Sequence, residues 1–494
     1  MVASDWLHSE RHPGMKELNM TINMAYNSRN QARERAITHL PVLPVGNRIK
    51  PFYEIDQGFT KDKAMQEAAR CLRCKKPPCA TACPLQVYIP EFISAIRERD
   101  LPKAARILRS GNPFPAVCGR ICAQESQCES KCTLNRYGKS VSIGALERYV
   151  ADWMLENEEK IEITNRFVSS GKNVAVVGGG PAGLSAAASL VTRGHEVKIY
   201  ELMNATGGDL LSEIPEFRLP KKVLIGEIAR ILSLGVRVEC NAPVGRKISF
   251  RQLYTEYDAI FLAQGPGSPV SLGISGKRLC GIYSARDYLV DANSWMEEGM
   301  QLKKLKKFGA RMVVIIGGCN TALDCARVAI RLGAEQVRIV YRNSESEMSA
   351  RQKEVEQAKE EGVKVFELLS PVEIVGDERG WVKGLVCQAM KPGERDSAGR
   401  RKPMKIEGDL RELEADIVIH ALGSSSNRIN TSIFSQDDHF LREKLVVHKD
   451  GSTNFPGIFV GGDNIRKQGT AVQAIADGRR AAVAIDMFLT KGLS

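Results

Sequence analysis

One pattern occurs twice in this chain and restricts its fold more than any other feature: a β-branched strand entering a glycine turn that opens a helix. It occupies residues 171–201, GKNVAVVGGGPAGLSAAASLVTRGHEVKIYE, and again 311–342, RMVVIIGGCNTALDCARVAIRLGAEQVRIVYR. A strand, a crossover helix and a second strand in about thirty residues form a right-handed βαβ unit with parallel strands. Further short apolar runs, AIFLAQGPG and DIVIHALG, alternate with amphipathic stretches. From residue 172 onward the expectation is therefore doubly wound α/β, with parallel sheets covered on both faces. At 494 residues the chain is too long for a single core, so two or three domains are expected.

The segment ahead of this pattern is different in kind. Eight of the thirteen cysteines lie between Cys71 and Cys132, set among helical stretches such as TKDKAMQEAARCL and IPEFISAIRERDLPKAARIL. The first group is Cys71-x2-Cys74-x4-Cys79-x3-Cys83-Pro84; the second is Cys118-x3-Cys122-x5-Cys128-x3-Cys132. Zinc sites use two pairs separated by a longer loop. Three thiols within nine residues, with a fourth followed by proline, match the ferredoxin-type run instead. Soft thiolates suit iron–sulfur chemistry, and two such groups can enclose two 4Fe–4S clusters. Two clusters need eight ligands, and the simplest assignment uses all eight cysteines.

The first glycine turn is a complete dinucleotide fingerprint. Gly178 permits the tight turn, Gly180 lets backbone approach a pyrophosphate, and Gly183 lets the helix pack on the strand. Glu201 ends the next strand, where a carboxylate can bind ribose hydroxyls. Near the C-terminus, FPGIFVGGDNIRKQGTAVQAIADGRRAA places Asp463 after an apolar strand and before an alanine-rich helix. In flavin enzymes with two dinucleotide domains such an aspartate contacts FAD, so the FAD domain is expected to be discontinuous. The second turn reads Gly317-Gly318-Cys319-Asn320-Thr321-Ala322, with Cys319 where the fingerprint has its second glycine. Its following strand ends in Tyr341-Arg342 without an acid, and an arginine there suits a 2′-phosphate, hence NADP. The bland alternative is a second domain kept as scaffold without tight nucleotide binding.

With these motifs in this order, residues from about 50 to 494 resemble the glutamate synthase small (beta) subunit family. That family includes the large subunit of the bifurcating NADH-dependent ferredoxin:NADP oxidoreductase and the N-terminal part of dihydropyrimidine dehydrogenase. The marks are CLRCKKPPCATACP, VCGRICAQESQCESKCTLNRYGKSVSIGALERYVADW, VAVVGGGPAGLSAA, IPEFRLPK, YRNSESEMSAR and VGGDN. The resemblance implies a crossed ligand scheme. Cys71, Cys74, Cys79 and Cys132 would hold one cluster; Cys83, Cys122, Cys128 and Glu147 would hold the other, leaving Cys118 beside it. It further implies FAD contacts from Gly178, Gly180, Pro181, Ala182, Gly183, Glu201, Gly208, Arg218, Gly462, Asp463, Thr470, Ala471 and Val472. NADP(H) contacts would come from Gly317, Gly318, Asn320, Thr321, Arg342 and Arg351. Departures gather near the nucleotides: Cys319 for glycine, Asn343 for a second arginine, Ser349 for proline, and Ser212-Glu213 for Tyr-Gly.

The expected architecture is two Rossmann-like domains, for FAD and NAD(P), preceded by an α-helical iron–sulfur domain. Residues 1–50 read as an N-terminal arm and 51–165 as the helical domain with two 4Fe–4S clusters. Residues 166–300 and 430–494 read as the FAD-binding domain, and 301–429 as the NAD(P)-binding domain. The expected activity passes electrons between NADP(H) and a partner protein through FAD and the clusters. The partner is either a glutamate synthase large subunit or the flavin and iron–sulfur subunits of a bifurcating complex. A wiring subunit without nicotinamide activity is the further alternative. The seven histidines form no cluster, so no acid–base triad is proposed. A formal charge of +12 is spread along the chain, densest at 301–311, and argues for a solvated face and anionic cofactors rather than nucleic acid. No run of eighteen apolar residues and no secretory leader are found, so the expected location is the cytoplasm.

Overall fold

A computed structural model describes residues 38–50, 52–160, 167–297, 311–395, 401–424, 445–466 and 469–491. Most of the expected arm, the basic run at 301–310 and the expected re-entry near 430 lie outside the described residues.

Residues 61–156 form a helical layer. Its helices start where the sequence supplies caps or prolines. Thr60 Oγ1 accepts from Lys63 N ahead of helix Lys61–Ala68, and Asp100 Oδ1 accepts from Lys103 N at 2.9 Å ahead of Leu101–Gly111. Pro78, Pro90, Pro102 and Pro115 occupy first turns, where a missing N–H costs nothing. The layer closes on helix Ile143–Glu156 through buried Phe92, Ile96, Leu108, Phe114, Leu146 and Val150.

The rest is doubly wound. Strands β1 (Asn173–Val177), β2 (Glu196–Tyr200), β3 (Arg237–Glu239) and β4 (Ala259–Leu262) join β13 (Ile458–Val460) in an all-parallel sheet, order β13-β4-β1-β2-β3. A second all-parallel sheet has order β5-β12-β6-β7-β8, from β5 (Ile282–Ser284), β6 (Met312–Ile316), β7 (Gln336–Tyr341), β8 (Lys364–Glu367) and β12 (Ile417–His420). Central strands β1 and β6 are buried over their last four residues, as their unbroken apolar runs demand. In each sheet the glycine turn leaves the strand where the winding reverses direction, which is where doubly wound sheets bind ligands. Three further strands, β9 (Leu369–Gly376), β10 (Val382–Arg395) and β11 (Arg401–Glu414), form an antiparallel sheet beside the second unit.

One expected boundary moves. Strand β5 pairs with β12, so residues from 282 belong with the second sheet and not, as expected to 300, with the first. A three-residue strand carries too short an apolar run to be read from the sequence. The C-terminal residues do return to the first unit through β13 and helix Ala471–Lys491. That helix packs on Pro181–Val191, with Ser185 Oγ donating to Ile475 O at 2.8 Å and Gly478 against the Ala182 carbonyl.

Candidate functional site

The structure regroups the cysteines across the two sequence groups. Cys71, Cys74, Cys79 and Cys132 line one small pocket whose walls are, apart from Thr133, otherwise apolar, including Leu72, Ile89, Ile93, Leu134 and Ile143. Cys74 Sγ lies 3.3 Å from Thr133 Oγ1, which ties the two loops together. Burial pushes Cys79 up to about 12, and the like charges of Cys132, Cys71 and Cys74 add to it; Cys71 rises to about 11 for the same first reason. Among the described residues no three His, Cys, Asp or Glu side chains close on a single ion.

The second group forms around Glu147, on helix Ile143–Glu156. Burial, then Glu129 and Glu147, raises the thiol of Cys128, and burial with a smaller push from Glu147 raises that of Cys83; the bond with Cys122, then burial and Glu147, raises that of Cys118, while Cys122, lowered by that bond, is raised on balance by burial and Glu147. Glu147 is itself pushed up to about 8 by burial. Asn112 Nδ2 donates to Glu147 Oε1 at 2.8 Å, while Asn112 Oδ1 accepts from Phe114 N at 2.8 Å and faces Cys118 Sγ at 3.8 Å. The sequence reading missed Asn112; its signal was an Asn-Pro pair before a proline-started helix. Glu147 is thus no surface glutamate, and Cys118, 2% exposed, lies on the Asn112 side of it.

The first glycine turn makes a narrow cradle. A Cβ on Gly178 would collide with Ala263 O at the end of β4, and one on Gly183 with Gly178 O. Gly208 has φ +54, and a Cβ there would lie 3.0 Å from Gly180 Cα, so two bare backbones face each other. Glu201, 6% exposed, accepts from Gly179 N at 2.6 Å and Met203 N at 2.8 Å. Gly462 abuts Ala182, bringing the β13 turn onto the first turn. Next to it, Asp463 Oδ1 is buried without a hydrogen-bond partner among the described residues, and burial, then Asp209, pushes the carboxyl up to about 6. Pro181 begins its helix, Thr470 N donates to Gln473 Oε1, and Ala471 and Val472 open the long C-terminal helix.

The second turn repeats this geometry. A Cβ on Gly317, φ +140, would strike Ala421 O after β12, as Gly178 meets Ala263. Gly318 lies against the Tyr341 ring. Cys319 caps helix Asn320–Arg331, with its Sγ 3.7 Å from Ala421 O, and Thr321 follows in the first turn. Arg342 is exposed.

Two arginines expected at the cofactors are turned elsewhere. Arg218 is buried against Asp324 and Glu354, carboxylates of the second nucleotide unit. Arg351 donates its backbone N–H to Asn320 Oδ1 at 2.9 Å. Its guanidinium instead spans to the cysteine domain, reaching Arg120 O at 3.0 Å, Gln124 Oε1 at 2.8 Å and Glu125 at 3.1 Å. Carboxylates and carbonyls already fixed at these junctions give each guanidinium charge-assisted hydrogen bonds.

Residues 48–159 match the family model described as dihydropyrimidine dehydrogenase domain II, 4Fe-4S cluster, and residues 172–478 match that of pyridine nucleotide-disulphide oxidoreductase. The glutamate synthase [NADPH] small chain of Halomonas elongata is 34% identical, over 90% of this chain and 95% of that protein. The chain belongs to the glutamate synthase small-subunit family. The family is not confined to one enzyme: the NADP(+)-dependent formate dehydrogenase subunit beta of Moorella thermoacetica is 35% identical over 84% of this chain, which spans only 60% of that protein. The NADPH-Fe(3+) oxidoreductase subunit beta of Geobacter sulfurreducens is 34% identical, over 91% and 69%. Among solved structures, Mycobacterium tuberculosis FprA in complex with NADPH superposes with a TM-score of 0.53 at 20% identity, covering 64% of this chain and 83% of that one; it shows the fold. As a member of this family the chain is an NAD(P)H-dependent oxidoreductase subunit with FAD and 4Fe–4S clusters. Among the described residues no helix is long and apolar enough to cross a membrane.

Proposed function

We propose that Cys71, Cys74, Cys79 and Cys132 hold one 4Fe–4S cluster, and Cys83, Cys122, Cys128 and Glu147 the other. FAD would lie between the Gly180–Gly208 cradle and Asp463, and NADP at the turn Gly317–Thr321 with Arg342 on its 2′-phosphate. Held there, FAD would supply the exchange between a two-electron hydride and single electrons, and clusters held by the two cysteine groups would supply one-electron relay to a partner subunit. The chain's residues bind, orient and exclude water. Gly178 and Gly183 bring the strand end and helix N-terminus onto the pyrophosphate. Asp463 Oδ1 offers an acceptor that has no donor among the described residues. The apolar wall around Cys71 leaves the four thiols half-buried, and Asn112 fixes the Glu147 carboxyl.

The observation that carries this reading is the regrouping itself: Cys132 leaves its sequence group for Cys71, Cys74 and Cys79, and Cys83 leaves its own for Glu147. Iron analysis and electron paramagnetic resonance test it. Cys118→Ala should retain about eight irons and both signals, whereas Glu147→Ala should change one signal only. Intact signals in Glu147→Ala, with one lost in Cys118→Ala, would return the ligand role to Cys118.

The partner in this reading is another redox subunit, and the cytoplasm is the expected site. The three relatives above serve different enzymes as small or beta subunits, so a complex other than glutamate synthase, including a bifurcating one, fits as well as a glutamate-forming large subunit. Cys319 favours one second reading, a wiring subunit without nicotinamide turnover. NADPH-dependent dye reduction that vanishes in Arg342→Ala would eliminate it.

A further inference from the structure

The loop that brings Asn112 to Glu147 is held from outside the cysteine domain. Arg479 lies on helix Ala471–Lys491 of the first Rossmann unit. Its guanidinium donates to three carbonyls of the cysteine domain: Leu85 O at 3.3 Å, Ser110 O at 3.1 Å and Gly111 O. Leu85 is two residues after Cys83, and Gly111 precedes Asn112, whose Nδ2 donates to Glu147 Oε1 at 2.8 Å. One side chain therefore ties the Cys83 loop to the loop that orients Glu147. The residue before it fixes where it stands. A Cβ on Gly478 would strike the Ala182 carbonyl, so the long helix lies directly on the helix of the first glycine turn.

What these bonds lack is a carboxylate. Among the described residues Arg479, half-buried, makes no ion pair. Its neighbours do: Arg480 and Arg466 pair with Asp477, and Arg193 with Asp486. Arg230, which donates to Pro113 O in the same loop, has Glu227 one turn away on its own helix. Ser110 and Gly111 close helix Leu101–Gly111, where free carbonyls attract a cation, and that much is structural. Carbonyl oxygens satisfy the hydrogens of a guanidinium but leave its charge uncompensated. Burial, then the charge of Arg193, holds this guanidinium below its usual range, and Cys83 is the first group that opposes them.

We propose that Arg479 is a positioning residue for the group of Cys83, Cys122, Cys128 and Glu147, and that its unpaired charge makes a cluster held there easier to reduce. This rests on the cluster assignment above. Net charge and hydrogen bonding around such a cluster set its potential. One-electron reduction adds one negative charge and moves no bond or proton, so a fixed cation beside it favours the reduced form. The electron comes from the flavin in the reading above, and from dithionite in a titration.

The test is a potential, not turnover. The full, iron-loaded chain is titrated with dithionite and followed by electron paramagnetic resonance, and the signal altered in Glu147→Ala identifies the second group. In Arg479→Gln, reduction of that group should become about ten-fold less favourable, a fall of about 59 mV for one electron. The other signal and the iron content should stay as in wild type. Arg479→Lys, which keeps the charge, should restore the wild-type potential. Arg480→Gln, the paired neighbour on the same helix, should move neither signal. An unmoved second potential in Arg479→Gln, equal shifts in both signals, or Arg479→Lys behaving like Arg479→Gln would overturn the inference. If Arg479→Gln loses iron, loss of the second signal alone with recovery in Arg479→Lys supports it, and loss of both signals overturns it. A wild-type chain with only one signal sinks the cluster assignment; two signals and no shift sink the role of Arg479 alone.

Discussion

Helix Pro115–Ile121 carries Cys118 and leads into Cys122, and its N-terminus is held by a residue from another domain. Glu227, 1% exposed on helix Lys221–Leu232 of the first Rossmann unit, accepts from Ala116 N and Val117 N, each at 3.1 Å. Glu227→Ala leaves both buried donors without an acceptor. At about 1–3 kcal/mol for each orphaned group, the loss is about 2–6 kcal/mol. Glu227→Gln keeps one acceptor oxygen but turns an amide against the other donor, so about half that loss is expected. The pH dependence has a defined sign. Burial pushes Glu227 up from 4.5 to about 7, so the folded chain holds this proton more tightly than the unfolded chain. Its contribution is fully present below pH 4.5 and is lost as pH rises to about 7. The deficit of Glu227→Gln relative to wild type should therefore shrink between pH 5 and pH 8. Urea unfolding followed by far-ultraviolet circular dichroism at both pH values measures this. Stability of Glu227→Ala within about 0.5 kcal/mol of wild type, or a deficit that grows with pH, would refute the reasoning.

Gly183→Ala, whose Cβ would overlap Gly178 O, should yield protein without flavin absorbance but with its iron retained, read by absorbance and iron assay. Arg351→Ala removes the bonds to Arg120 O, Gln124 and Glu125; local opening of residues 118–128 should become about 5–30 times more frequent, read by hydrogen exchange. Flavin-free protein should lose stability as pH rises from 3.8 to about 6 through Asp463, held high by burial and then Asp209; in Asp463→Asn thermal melts should lose that slope.

The parallel sheets were legible because central strands in such sheets must be apolar throughout, and NVAVV, EVKIY, AIFL, MVVII, QVRIVY and IVIH are nearly so. The antiparallel sheet was not. Strand β11, RKPMKIEGDLRELE, is exposed over most of its length and among the described strands pairs only with β10, so no buried face imposes an alternating pattern on it. Its pairing is also irregular: the register slips between Gln388 and Met390, where Gln388 Nε2 donates to Ile406 O and Asp409 O. For the cysteines, spacing supplied the two groups, but their crossing depends on helices packing in three dimensions. Only a resemblance to whole relatives carried that information in advance. Spacing alone offers Cys118 as a ligand and reads Glu147 as an exposed helix acid. The burial of Glu147 against Asn112 is a property of the packed domain.

Arg218 and Arg351 show the same limit at longer range. An arginine near a nucleotide motif reads as a phosphate ligand, because its charge is visible and its partners are not. Asp324 lies 106 residues from Arg218, and Gln124 and Glu125 lie more than 220 from Arg351. Such pairs form because a guanidinium leaves water only where several acceptors are already fixed, and domain junctions supply them. Phe217 adds a face: Arg331 stacks 4.0 Å and Arg327 4.8 Å from its ring, while both guanidinia pair with Glu361. Gln124 extends the contact inward, donating to Cys118 O at 3.1 Å and filling the space that Gly144 leaves. The second nucleotide turn, the arginine clamped to it and the loop before Cys128 are thus joined through consecutive hydrogen bonds. A strain applied at Asn320 would meet the cysteine domain within three side chains, and a substitution at any of them should be felt at both ends.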